Sequence, residues 1–333
     1  MRNVRTFILI AFTLAIVLAG CGGGAGTDAN TGGGTAASPN SAAQTRTIKH
    51  ALGETTITGV PKRIVALEWL YAEDVLALGI QPVGIADIAG MNKWVNIPVE
   101  IGPDVTDVGT RQEPNLEMIA SLKPDLIIGL KSTSRTNYES LKGIAPTLVF
   151  DPYPPEGAGD QYGEMISTFQ TIADVLGKKD EAAKVLSSLD QTYADAKAKL
   201  TAAGMTERPF ALAMAYSNQN AVTFRISTDN SQAVKILEHA GLKNAYKSEK
   251  FEIYGFTTTD VEALPALQDA NFLHIIQGSD NVIENQLKDN PVWKGLNFVK
   301  ENRVYALGGD MWPYGGPLSA QVMAKKTAEL LTP

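Results

Sequence analysis

The chain has 333 residues, a formal net charge of −7 and a single cysteine. That length suggests about two domains. No basic residues are clustered, which argues against a nucleic-acid partner, and a lone cysteine excludes an internal disulfide and a cysteine-based zinc site.

Arg2 and Arg5 precede a short apolar run, Phe7–Ala19, too brief for a comfortable membrane span. Leu18-Ala-Gly-Cys21 then has the lipobox pattern. It predicts a lipoprotein signal peptide over residues 1–20, cleavage before Cys21 and acylation of its thiol, palmitate being one such chain. Two or more acyl chains anchor stably where one is marginal. The alternative is an ordinary secretory signal. It would leave unexplained why the sole cysteine sits at the cleavage point. Losing Arg2 and Arg5 takes the charge from −7 to −9. An acidic surface does not attract an anion from afar, so an anion site must be local. Residues 21–45 are mostly Gly, Ala, Ser, Thr and Asn and cannot bury a core. They read as a flexible tether to the extracytoplasmic face of the cell membrane.

Residues 47–59 read as a hairpin turning at Leu52-Gly-Glu54. Ile64–Leu67 reads as a buried strand running into Glu68, Trp69 and a helix, Tyr71–Leu78, ended by Gly79. Val83–Ala86 is the next strand, followed by a loop carrying Asp87, Met91, Lys93 and Trp94. Within Val108–Leu130, Pro114 suits the first turn of a helix. Leu116, Ile119 and Leu122 form its apolar face, and Asp125–Leu130 reads as a strand covered on both sides. A loop with Lys131, Ser132 and Arg135, a helix near Tyr138–Gly143 and the strand Pro146–Phe150 complete a first lobe over residues 46–160. Strands alternating with helices argue a mostly parallel sheet. Glu68, Trp69, Arg111, Arg135 and Tyr153 then fall at strand ends, where open α/β sheets bind ligands.

Residues 161–178 read as a connecting helix with Met165, Phe169, Ile172 and Ala173 on one face. The second lobe, residues 179–333, opens with an amphipathic helix over Asp180–Leu200. Strands follow at Phe210–Tyr216 and Ala221–Ile226, then a helix at Gln232–Ala240. The sequence Asp260–Gly278 repeats the cap, short helix and buried strand of Asn115–Gly129, a weak duplication that supports two similar lobes with a cleft between them. Arg225 alternates with Phe224 and Ile226 and should point away from them. Tyr216, Asn218, Arg225, Trp312 and Tyr314 are this lobe's candidate ligand residues, the last two in the glycine-rich loop 308–317. A final helix spans Leu318–Leu331.

GTRQEPNLEMIASLKPDLIIG, together with PKRIVALEWLYAEDVLALGIQPVGIAD upstream, resembles the ferric-siderophore substrate-binding lipoproteins of bacterial ABC importers, closest to the ferric-citrate and hydroxamate–carboxylate branch. The resemblance covers about Ile48 to Leu331. It implies an α/β fold of two Rossmann-like lobes joined by a long helix, the helical-backbone periplasmic-binding-protein type. It also implies a monomer that captures a ferric siderophore and hands it to an ABC permease with its ATPase, with no cofactor and no direct metal ligand. It carries a ligand-facing role to Arg111 and Arg135, and a permease-docking role to Glu73 and Glu238.

The residues support such chemistry independently. Arginine forks pair carboxylates bidentately and stay charged when partly buried, and aromatic rings cover flat ligand surfaces and stack on guanidinium groups. The alternative is a haem- or cobalamin-binding protein of the same fold. With only His50, His239 and His274 available, scattered in sequence, a site built from several imidazoles is disfavoured. No GxSxG, HExxH, P-loop or GxGxxG fingerprint suggests an enzyme.

Overall fold

The computed structural model describes residues 45–219 and 221–332. The signal peptide, Cys21 and the tether up to Gln44 lie outside the described residues. Thr45, expected to end the tether, already opens a strand.

Strands β1 (Thr45–His50) and β2 (Gly53–Thr58) pair antiparallel as the expected hairpin. Arg46 ties it to the body of the protein. Its guanidinium donates to the carbonyls of Asp174 and Val175 at 2.6 and 2.8 Å. These carbonyls lie at a helix C-terminus, where a cation is favoured.

The first lobe is built on β3 (Ile64–Ala66), β4 (Gly84–Ile85), β5 (Thr106–Asp107), β6 (Leu126–Leu130) and β7 (Thr147–Phe150). All pairs are parallel, in the order β5-β4-β3-β6-β7. The chain winds outward from β3 and then returns to its other side. The switch between β3 and β6 leaves a crevice at their carboxyl ends, where Glu68 and Ser132 follow. Two local readings need correction. Residues 88–94 form a helix rather than a loop, capped by Asp87 in the left-handed region (φ 57°). Pro114 precedes the helix Leu116–Ser121, because Asn115 is its cap and accepts from the Met118 N–H at 3.0 Å.

The second lobe contains β8 (Phe210–Asn218), β9 (Ala221–Ser227), β10 (Phe256–Thr259), β11 (Asn271–Ile275) and β12 (Val304–Ala306), in the order β10-β9-β8-β11-β12. Here β9 runs antiparallel to both neighbours. Only two residues separate β8 from β9, and a parallel return needs a crossover of about a dozen residues. The lobes are therefore related in architecture but are not repeats. The segment Val261–Leu267 is 3₁₀ rather than α-helical and contains Pro265, which cannot donate to an α-helical ladder.

The connecting helix, Gln161–Val175, starts at Asp160, whose Oδ1 accepts from the Gly163 N–H at 2.8 Å. Its face of Met165, Phe169, Ile172 and Ala173 lies in one core that takes Leu148 and Phe150 from the first sheet and Leu212 and Leu273 from the second. Each fully buried large apolar side chain contributes about 1.5–3 kcal/mol, so this helix welds the lobes.

Glu73 corrects the expectation of a permease-docking residue. It lies on the helix Trp69–Ala77, and both it and Asp74 are 0% exposed. A partner protein cannot reach a buried carboxylate. Glu73 instead accepts from the Ser319 N–H at 2.7 Å and the Ser319 hydroxyl at 2.6 Å. The last helix, Pro317–Leu331, begins at Gly316, which has no side chain to cap it. Glu73 supplies that acceptor from the opposite lobe. Burial raises its carboxyl above the usual range, against the lowering effect of the Ser319 bonds.

Asp74 is more exposed to penalty than Glu73 in energetic terms, because neither of its buried oxygens has a partner. Burial and the adjacent Glu73 charge raise its carboxyl well above the usual aspartate value. An acid raised in the folded state holds its proton more tightly there than in the unfolded chain. Stability is then full below the ordinary aspartate range and is lost as pH rises through Asp74's own value. Asp74→Asn should stabilise the protein by about 1–3 kcal/mol above that value. In thermal melts across pH, the gap to wild type should narrow as pH falls; a gap that widens toward acid would contradict this account.

Candidate functional site

The carboxyl ends of the two sheets face a crevice with two adjoining chambers, about 300 and 560 Å³. Arg111, Arg225, Trp312 and Tyr314 line both.

Glu68, in extended conformation just past β3, caps the helix Trp69–Ala77 and accepts from the Trp69 N–H at 3.0 Å. The same oxygen accepts from Arg111 Nη1 at 2.7 Å. Arg111 arrives on the loop after β5, turned by Gly109 at φ 95°. Its Cζ sits 3.6 Å from the Trp69 ring centroid and 5.7 Å from that of Trp312, within cation–π range. Its Nε is buried without a hydrogen-bond partner. The Trp69 indole donates to the Asp87 carbonyl at 3.0 Å, which fixes the ring. Trp312 from the C-terminal segment stands edge-on to Trp69 at 5.0 Å and to Tyr314 at 5.4 Å.

Arg225 comes from β9, opposite the buried Phe224 and Ile226, as the alternation predicts. It lies over Tyr216 at 5.3 Å and Phe256 at 4.7 Å. Its Nε is also buried and unpartnered, and it forms no ion pair among the described residues. A charged donor buried without a partner is costly unless a ligand satisfies it. Burial pushes the Tyr314 phenol up to about 12, with Arg225 opposing. Burial likewise raises Tyr153. Both phenols therefore stay protonated, as hydrogen-bond donors, near neutral pH.

Of the predicted ligand residues, Glu68, Trp69, Arg111, Tyr216, Arg225, Trp312 and Tyr314 line the crevice. Arg135 does not, and its assignment is corrected. A short helix, Lys131–Ser134, follows β6 directly, turns Ser132 and Thr133 toward the crevice and leaves Arg135 exposed one turn farther on. Asn218 lies at the exposed end of β8. Sequence reading missed Gln161 and Gln232, which open two helices and line the smaller chamber. It also missed Tyr254 and Phe256. Tyr254 meets Tyr153 edge-on at 5.1 Å across the mouth of the crevice. No local pattern marks these residues.

The pattern of the Periplasmic binding protein family matches residues 64–311. The chain belongs to that family. This periplasmic binding protein is 35% identical over 325 residues to the Fe(3+)-citrate-binding protein YfmC of Bacillus subtilis, covering 97% of this chain and 94% of the relative. It is 31% identical to the iron(3+)-hydroxamate-binding protein FhuD of Escherichia coli, covering 78% of this chain and 83% of the relative. Among solved structures, the Fe3+–Desferal-bound siderophore-binding protein FhuD from Vibrio cholerae superposes with a TM-score of 0.72 at 30% identity, covering 81% and 98% of the two chains. These relatives are named as binding proteins for ferric chelates, and this member is a binding protein rather than an enzyme.

The seat of Trp69 in this periplasmic binding protein depends on a missing side chain. A Cβ on Gly90 would lie 2.5 Å from Trp69 Cζ2 and 2.4 Å from Asp87 Oδ2. Gly90→Ala should therefore shift the tryptophan emission maximum and cost about 1–3 kcal/mol through overpacking. An unchanged emission spectrum and melting curve would show that Trp69 is not held there.

Proposed function

We propose that this protein is a lipid-anchored, extracytoplasmic receptor that captures a ferric siderophore of the ferric-citrate or citrate–hydroxamate type in the interlobe crevice. It then delivers the complex to an ABC permease driven by its ATPase, and acts as a monomer. The supporting observation is the convergence of Arg111 and Arg225 with Trp69, Trp312 and Tyr314 on one cavity. Family membership and the ferric-chelate ligands in the relatives' names point the same way. Cys21 is the proposed acylation site.

The chemistry suits a ligand whose iron is already chelated. The protein then meets carboxylate, hydroxamate or hydroxyl oxygens rather than the metal. Arg111 and Arg225 line the crevice with guanidinium groups that can donate to those oxygens, and the indoles and phenols pack on the ligand's flat faces. The three histidines line neither chamber, so an imidazole-ligated haem has no support in the geometry.

Arg111→Ala should weaken ferric-siderophore binding at least about tenfold, equivalent to ~1.4 kcal/mol, as read by quenching of tryptophan fluorescence. Wild-type affinity in that variant would remove Arg111 from the site. With Glu73 buried, Glu238 is the remaining candidate for docking. It is half-buried on the helix Gln232–His239 and paired with Lys235 at 2.8 Å. Glu238→Lys should reduce uptake in cells while leaving binding by the soluble domain intact; parallel loss of both would argue for a folding defect instead.

A further inference from the structure

One large aromatic side chain of the crevice is held out toward solvent. Tyr254 is 53% exposed and its neighbour Ile253 is 43% exposed. An apolar pair on a free loop would gain by folding back onto the nearest apolar surface. This pair stays out because the turn beneath it is pinned. Glu252 accepts from the Gly255 N–H at 2.8 Å, which closes a turn with Tyr254 at its corner. Three carbonyls around Tyr254 are then taken from outside the turn. The Asn230 amide donates to the Glu252 carbonyl at 2.9 Å, Gln161 Nε2 to the Ile253 carbonyl at 3.1 Å, and the Thr228 N–H to the Gly255 carbonyl at 3.0 Å.

Asn230 is itself fixed. Its Oδ1 accepts from the Thr228 hydroxyl at 2.7 Å, and its carbonyl accepts from the Gln161 N–H at 3.2 Å, where the connecting helix starts. The turn is pressed close against this support. Gly255 has φ 75°, and a Cβ there would lie 2.7 Å from Ser231 Cβ. Gln161 lines the smaller chamber, but Asn230 lines neither. The Asn230 amide is therefore engaged with the backbone under Tyr254 and not with the cavity.

We infer that Asn230 is a positioning residue: without reaching the cavity, it holds Tyr254 upright as one wall of the crevice mouth, edge-on to Tyr153 at 5.1 Å. This rests on the ferric-chelate reading above and says how one wall of that site is kept in place. Ordering a loose turn when a ligand arrives costs conformational entropy over several residues. A turn ordered beforehand avoids that cost, and the tyrosine ring meets the ligand in one stance, set by its edge-on partner from the first lobe. Loss of the pin should then show mainly as faster release of the ligand.

Two variants test this. Asn230→Ala removes both bonds of the amide, whereas Asn230→Asp keeps the acceptor for Thr228 and loses only the donor to Glu252. Thermal melting checks that each folds. The Gly255 amide, which the Glu252 carbonyl protects, should exchange at least about threefold faster with solvent in both variants, as read by NMR. Titration by tryptophan quenching with ferric dicitrate and ferric Desferal should show about a fivefold loss of affinity for whichever probe wild type binds, and Tyr254→Ala should lose at least as much. Combining Asn230→Ala with Tyr254→Ala should stay within about twofold of Tyr254→Ala alone, because Asn230 acts only through that ring. Losses that multiply in the double variant, or an unchanged affinity beside faster Gly255 exchange, overturn the positioning role. Unchanged Gly255 exchange overturns it without any ligand. If wild type binds neither probe, the ferric-chelate reading falls, and the exchange comparison still decides whether Asn230 pins the turn.

Discussion

A guanidinium held flat on an indole by a carboxylate is the arrangement on which the rest of the crevice depends. Glu68 caps the first long helix, and the same oxygen grips Arg111. That grip lays Arg111 on Trp69 at 3.6 Å. Trp312 closes on the pair from the C-terminal segment. An arginine on a free loop would lose much of its entropy on binding a ligand. Here that ordering is already done, and Arg111 lines a preformed cavity.

A second carboxylate, one turn along the same helix, serves the frame rather than the site. Glu73 reaches the uncapped start of the last helix and bonds both polar groups of Ser319. The loop carrying Trp312 and Tyr314 ends at that helix, so the link sets where the aromatic wall stands. Gly315 and Gly316 permit it, since a Cβ on either would come within 2.8 Å of Glu73 or Asp74 oxygens. Asp74 remains unsatisfied beside them, a local cost borne where two lobes must meet closely.

The lobes contribute unequally. The first supplies a parallel sheet whose switch between β3 and β6 opens the crevice. The second supplies β9, antiparallel in its sheet, with Arg225 on one face and Phe224 and Ile226 on the other. The connecting helix joins both through one continuous core. Binding specificity then falls to side chains at strand ends and in short loops, which can change without disturbing that core.

Period, caps and breakers are local, and they were legible in the residues alone. The alternation at Phe224-Arg225-Ile226, the strand ends at Glu68 and Tyr153, and the extents of most helices and strands follow from hydrophobic spacing and from Gly, Pro and Asn placement. Family motifs around Arg111 were equally plain. What spacing does not encode is which way a helix face turns in the assembled fold. Glu73 looked solvated and is buried, because its partner Ser319 lies 246 positions away in the chain. Arg135 looked ligand-facing and is exposed, because an unforeseen helical turn follows β6. Gln161, Gln232 and Tyr254 carry no local signature at all. Only the packing of distant segments decided these positions, since burial and ion pairing depend on neighbours in space that periodicity along the chain does not specify.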